Sequence, residues 1–192
     1  KHCVIPTAGN AGGALSAYCA KAGIKATVVM PEHTSDLLKE ECKAYGAELL
    51  TVKGLISDCG VLAKKISTNT GAFDMSTLKE PYRLEGKKTM GYEIAEQLNW
   101  QLPDVIVYPT GGGTGLLGIW KAMDEMWQMK WVSGKMPRMV VVPSENCKPM
   151  VEMFNKGNVP DDYKATASVV LGLAVPFPFA KDQIQQVLHK SN

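Results

Sequence analysis

The chain has 192 residues, 45% of them hydrophobic, and a formal net charge of +2. That length and apolar content suffice for one good core or two small ones. The near-neutral charge gives no electrostatic case for nucleic acid or an acidic surface, and no apolar run approaches a membrane span or a signal peptide. The five cysteines form no CxxC pair and the three histidines are dispersed, which points to reduced thiols in a cytoplasmic protein and to no metal site.

Taken in order, residues 3–6 read as a strand, residues 7–13 as a turn of small residues, and residues 14–22 as a helix stopped by Gly23. Ala14, Ala17 and Ala20 keep one face of that helix small, which suits close packing on a sheet. Residues 26–30 are a β-branched strand ended by Pro31. Ser35 is a candidate N-cap for a helix through Tyr45, and Gly46 ends it. Residues 47–52 form the next strand and residues 56–69 the next helix. Residues 73–88 read as irregular, with Pro81 and Gly86 as breakers. Thr89 is placed to cap a helix running to Leu98, followed by a turn over 99–103.

The second half repeats the alternation. Residues 105–108 are a strand, and residues 116–126 a helix. Residues 130–137 are loop-like, and 138–142 are a strand ended by Pro143. A helix follows Pro149 to Lys156, a loop covers 158–165, and residues 169–179 read as extended and partly buried. Residues 182–189 close the chain as a helix. Strands that alternate with helices and are apolar on both faces imply parallel strands with right-handed crossovers, a three-layer α/β architecture of parallel sheets with flanking helices. The irregular segment divides it into two lobes. The chain opens on a strand already under way and closes on a helix with no strand after it, so it is expected to be an excerpt of a longer protein.

Between the strand at 105–108 and the helix at 116–126 lies Pro109-Thr110-Gly111-Gly112-Gly113-Thr114-Gly115. Strand, glycine turn and helix present bare backbone N–H groups at the positive end of a helix dipole, which suits a phosphate. A plain tight turn is the competing explanation. A dinucleotide site is disfavoured, because GxGxxG is not matched cleanly and no acidic residue ends the next strand before Pro143. Ligands in parallel sheets bind at the carboxyl ends of strands, where both this turn and Thr7-Ala8-Gly9-Asn10-Ala11-Gly12 lie.

The pairing of these two turns resembles the tryptophan-synthase-β-like pyridoxal-phosphate enzymes of fold type II. Tyr82-Arg83-Leu84-Glu85-Gly86-Lys87-Lys88-Thr89, then Gly91-Tyr92-Glu93-Ile94, and Gln97-Leu98-Asn99-Trp100 leading to Pro103-Asp104, narrow the resemblance to the threonine synthase branch. The resemblance implies pyridoxal 5'-phosphate as cofactor and O-phosphohomoserine as substrate, converted with water to threonine and phosphate by a carbon-oxygen lyase. It also implies a homodimer. Gly111, Gly112, Gly113, Thr114 and Gly115 would hold the cofactor phosphate, and Asn10 the phenolic oxygen of its ring. Thr7, Ala8, Gly9, Ala11 and Gly12 would hold the substrate α-carboxylate. Residues 1–84 would be a small α/β domain with the asparagine loop, and residues 85–192 part of the large cofactor-phosphate-binding domain. Glu85, Lys87 and Lys88 read either as a solvated or salt-bridged face or, less simply, as cations near the substrate phosphate. The family's Schiff-base lysine lies upstream of the asparagine loop. Only six residues precede Thr7, so the catalytic lysine is expected outside this chain. Two other readings stay open: a threonine or serine dehydratase of the same fold, and a non-catalytic module binding a nucleotide or phosphate.

Overall fold

Residues 26–31 are buried without a break, which requires cover on both faces of one strand. The structure, a computed structural model, describes residues 1–160, 163–165 and 170–192. It divides into two units, Lys1–Glu80 and Pro81–Asn192.

In the first unit the buried strand is β2 (Lys25–Pro31). It lies between β1 (His2–Pro6) and β3 (Glu48–Val52), and β4 (Phe73–Asp74) continues the sheet beyond β1, giving the order β3-β2-β1-β4. All pairings are parallel, with Ile5 opposite Val28 and Val29 opposite Leu50. Three helices connect the strands: α1 (Ala11–Ala22), α2 (Asp36–Ala44) and α3 (Ile56–Thr70). The period of two in a strand sends neighbours to opposite faces. Val4 and Val29 meet Cys59 and Ala63 of α3. Ile5, Val28 and Met30 meet Cys42 of α2, with Ala11 and Leu15 of α1 alongside. The unit is therefore three-layered, as the alternation predicted. Each fully buried aliphatic side chain contributes about 2 kcal/mol of transfer free energy.

One expectation about α1 fails. Its buried face is Gly12, Gly13, Ser16 and Cys19, whereas Ala14 and Ala20 point to solvent. The closeness of Gly12 to the sheet sets the face. A Cβ there would lie 2.7 Å from Met30 Cε, 2.9 Å from Thr7 Cγ2 and 3.0 Å from Val28 Cγ1. Ser16, one turn on, spends its hydroxyl on the Gly12 carbonyl at 2.8 Å.

The second unit contains α4 (Tyr82–Gln97), β5 (Val105–Pro109), α5 (Thr114–Gln128), β6 (Arg138–Val142), α6 (Pro149–Lys156), a 3-10 turn at Leu171–Leu173, and α7 (Lys181–Ser191). β5 and β6 pair in parallel, with Tyr108 opposite Val141. The extended run expected over 169–179 contains that 3-10 turn. Its first residue, together with Asp161 and Asp162 of the loop expected over 158–165, lies outside the described residues. Among the described residues no helix is long and apolar enough to cross a membrane.

The larger difference concerns α4. A helix capped by Thr89 after an irregular segment was expected; one helix instead runs from Tyr82 through Gly86 and Thr89 to Gln97. The boundary expected between residues 84 and 85 accordingly falls inside α4. Pro81 at the helix start is compatible with helix geometry rather than a breaker. Charge pairing with α5 supplies what the intrinsic cost of Gly86 removes. Lys88 lies 2.8 Å from Glu85 and 2.6 Å from Glu125. Lys121 lies 3.0 Å from Glu85 and also pairs with Glu125. Tyr92 donates its O–H to Glu125 at 3.1 Å. The helices also touch closely at Gly91, where a Cβ would lie 2.6 Å from that of Ala122. Of the basic pair noted in the sequence, Lys88 thus belongs to a salt-bridged face.

Hydrogen bonds from Lys121 and then Lys88 hold the Glu125 carboxyl at about 2. The bonds to Glu125 and Glu85 push the Lys88 ammonium well above the usual lysine range. An unfolded glutamate takes up its proton near pH ~4.3, so unfolding binds a proton between about pH 4.3 and pH 2. The Glu125 contribution is fully present above that window and is lost as pH falls through it. Urea titrations from pH 7 to about pH 2 should show Glu125→Gln less stable at neutral pH, with the gap to wild type closing through the window. A gap that stays constant would remove Glu125 from the acid response.

Candidate functional site

Each glycine turn follows the carboxyl end of a parallel strand and opens a helix. In the first unit β1 delivers Thr7, whose N–H donates to the Val29 carbonyl at 2.9 Å. The Thr7 hydroxyl shapes the turn. It accepts from the Gly9 N–H at 3.1 Å and lies 3.2 Å from the Gly9 carbonyl. Thr7 is buried, and Ala8 and Gly9 are half-buried. Asn10 is the N-cap residue of α1 in helical conformation, exposed, and its side chain makes no capping hydrogen bond. Its carbonyl accepts from Ala14 N–H at 3.0 Å, and Gly12 N–H reaches the Gly9 carbonyl at 3.3 Å. The N–H groups of Ala11 and Gly13 are left at the open start of the helix. No acidic residue lies in that first turn, although the carboxylate of Glu41 on α2 rests against Gly13. Gly12 therefore has a packing role on the sheet, and Asn10 is the side chain of this turn whose amide has no partner among the described residues.

In the second unit the glycine turn is tied to the sheet by Thr110. Its N–H donates to the Val142 carbonyl at 3.0 Å and its hydroxyl to the Tyr108 carbonyl at 2.8 Å. Gly113 is the N-cap residue of α5 at φ 81° and ψ 0°, a left-handed conformation in which a side chain is strained. A Cβ at Gly113 would run into Ile184 of α7, one at Gly111 into the Gly172 carbonyl, and one at Gly115 into the Tyr108 hydroxyl. Gly113 and Gly115 are buried; Gly111, Gly112 and Thr114 are half-buried. Leu117 N–H bonds the Gly113 carbonyl at 3.0 Å, so the N–H groups of the first helical residues precede the ladder and have no partner within the helix. No acidic residue lies in the first turn of α5.

This second turn brings together all five residues expected to hold a phosphate. Bare backbone, free amides and an uncompensated dipole fit a dianion. The first turn likewise brings Thr7, Ala8, Gly9, Asn10, Ala11 and Gly12 into one loop. Two contributors were missed from the sequence. Ile184 arrives from a distant helix and carried no local signal. Tyr108 read as a strand residue and likewise carried no local signal of its contact with Gly115.

The profile of a protein family described as "Pyridoxal-phosphate dependent enzyme" matches residues 1–192. A threonine synthase of Methanocaldococcus jannaschii is 34% identical over 149 residues, covering 77% of this chain and 36% of that protein. A threonine synthase of Methanosarcina acetivorans is 30% identical over 172 residues, covering 88% of this chain and 42% of that protein. The chain thus spans less than half the length of these relatives. Among solved structures, maize serine racemase superposes with a TM-score of 0.81 at 20% identity, over 98% of this chain and 54% of its own. The processed form of threonine deaminase isoform 2 from Solanum lycopersicum does so at 0.75 and 20%, over 95% and 51%. At those identities the structures show the shared fold alone.

Gly113→Ala should destabilise the protein by about 2–4 kcal/mol, through left-handed strain and the displacement of Ile184. Urea denaturation checks it; unchanged stability would mean that the turn is not held in this conformation.

Proposed function

The chain belongs to the pyridoxal-phosphate dependent enzyme family, and on that premise we propose that the protein works as a threonine synthase, a carbon-oxygen lyase that converts O-phosphohomoserine and water to threonine and inorganic phosphate. The observation that carries the reading is the set of relatives named threonine synthase, at 34% and 30% identity over 77% and 88% of this chain. The segment from Tyr82 to Thr89, which forms the first half of α4, supports the same branch. A cytoplasmic homodimer is the assembly and location that go with it.

Bound pyridoxal phosphate supplies an electron sink for carbanions at the amino-acid carbons. The chain's own residues bind and orient. The N–H groups of Gly111, Gly112, Gly113, Thr114 and Gly115 take the cofactor phosphate at the start of α5. The uncommitted amide of Asn10 donates to the phenolic oxygen of the ring. The amides around Gly9 and Ala11 take the substrate α-carboxylate at the start of α1, with Thr7 holding the turn in shape. Residues 1–80 then act as the small domain, and residues 81–192, from the start of α4, as part of the large, cofactor-phosphate domain. The Schiff-base lysine is not assigned to any lysine of this chain.

With the full-length protein and pyridoxal phosphate, O-phosphohomoserine should yield inorganic phosphate and threonine in equal amounts. Formation of 2-oxobutyrate from threonine, with no phosphate release, would replace this reading by the dehydratase one. Asn10→Ala should lower turnover and cofactor affinity by tenfold or more. Its unfolding free energy should stay within about 0.5 kcal/mol of wild type, because an exposed side chain with no hydrogen bond is removed. Unchanged turnover would take Asn10 out of the site.

A further inference from the structure

Tyr108 ends in an unusual place. It lies on β5 opposite Val141, and its ring runs beneath the first turn of α5. There a Cβ on Gly115 would fall on its hydroxyl oxygen, 2.6 Å from Cζ and 3.1 Å from Cε1. The hydroxyl therefore occupies the spot where a side chain of the second residue of α5 would begin. Only glycine at 115 leaves room for it.

The backbone around the ring is committed. The Tyr108 carbonyl accepts from the Thr110 hydroxyl at 2.8 Å, and β5 is locked in register with β6. The hydroxyl is not: it has no hydrogen-bond partner among the described residues. A half-buried polar group without a partner costs stability unless a ligand or solvent satisfies it. Burial pushes the phenol up from its ordinary value, so at neutral pH it is a protonated donor. It lies against Gly115, the second residue of α5, whose first turn holds no acidic residue. A neutral donor beside the start of a helix whose first amides precede its ladder is suited to an anion that accepts from both.

We propose that Tyr108 is a phosphate-holding residue: its phenolic O–H donates to an oxygen of the cofactor phosphate bound by the 111–115 turn, supplying from the strand the hydroxyl that Gly115 lacks on the helix. The proposal rests on the cofactor reading above and adds to it a side chain from outside the glycine turn.

The test uses the full-length protein and Tyr108→Phe, which keeps the ring against Gly115 and removes only the hydroxyl. Pyridoxal phosphate affinity is measured by titrating the absorbance of the bound cofactor, with pyridoxal as the probe lacking phosphate. The phosphorus resonance of the bound cofactor and the melting temperature of the cofactor-free protein are recorded alongside. The expected result is pyridoxal phosphate binding weakened on the order of tenfold or more, a shifted phosphorus resonance, unchanged pyridoxal affinity and unchanged melting. Unchanged pyridoxal phosphate affinity and resonance would overturn the proposal and leave the cofactor reading standing. Equal weakening of both ligands, or a fall in melting temperature that accounts for the loss, would make Tyr108 a packing residue and likewise overturn it. A wild-type protein that fails to bind pyridoxal phosphate would overturn both readings.

Discussion

A parallel strand that passes its chain directly to a helix leaves several backbone amides with no acceptor. Those amides belong to neither the sheet ladder nor the helix ladder. This constraint recurs where β1 meets α1 and where β5 meets α5. In both places the helix starts without an acidic residue in its first turn. Each turn thus concentrates donors and the positive end of a dipole, with Glu41 of α2 the acidic side chain that rests against the first of them. Each start is suited to an anionic group. The assignment to a family named for pyridoxal phosphate agrees with that requirement.

The rest of each unit holds those turns in shape. Under α1, the missing side chain of Gly12 lets the helix start against Met30 and Val28, while Thr7 folds its hydroxyl back on Gly9. Under α5, Thr110 is pinned to β6 and Ile184 closes over Gly113. The glycines of the second turn thus answer two demands at once. They leave amides bare on one side, and on the other they admit neighbouring chain where a Cβ would collide. A substitution at Gly111, Gly113 or Gly115 perturbs packing as well as any ligand.

The charge cluster joining α4 to α5 serves a different end. Two lysines and two glutamates alternate across the helix pair, and Tyr92 completes the carboxylate of Glu125. Partial exposure limits what each pair contributes at neutral pH, but the set fixes the lateral register of α4 on α5. The register matters because α5 begins at the glycine turn. The cluster therefore anchors the element that carries the donors, and Lys88 is committed to it.

Much of this was legible in the residues. Short runs apolar on both faces, separated by helical stretches, determined the order of elements and the parallel sheets. The two glycine turns after strands determined where helix starts present bare amides. These are local properties: a few consecutive residues settle a strand end, a turn and a helix start. Other features depended on partners far along the chain. Pro81 and Gly86 read as breakers because their local preferences oppose a helix, yet charge pairing with α5 carries α4 through them. The alanines of α1 suggested a buried face, but the contact of Gly12 with Met30 turned the helix to bury Ser16 and Cys19 instead. The meeting of Tyr108 with Gly115, and of Ile184 with Gly113, was decided only by tertiary structure, because which side chain fills the space above a glycine is set by packing across elements and leaves no mark in the neighbouring sequence.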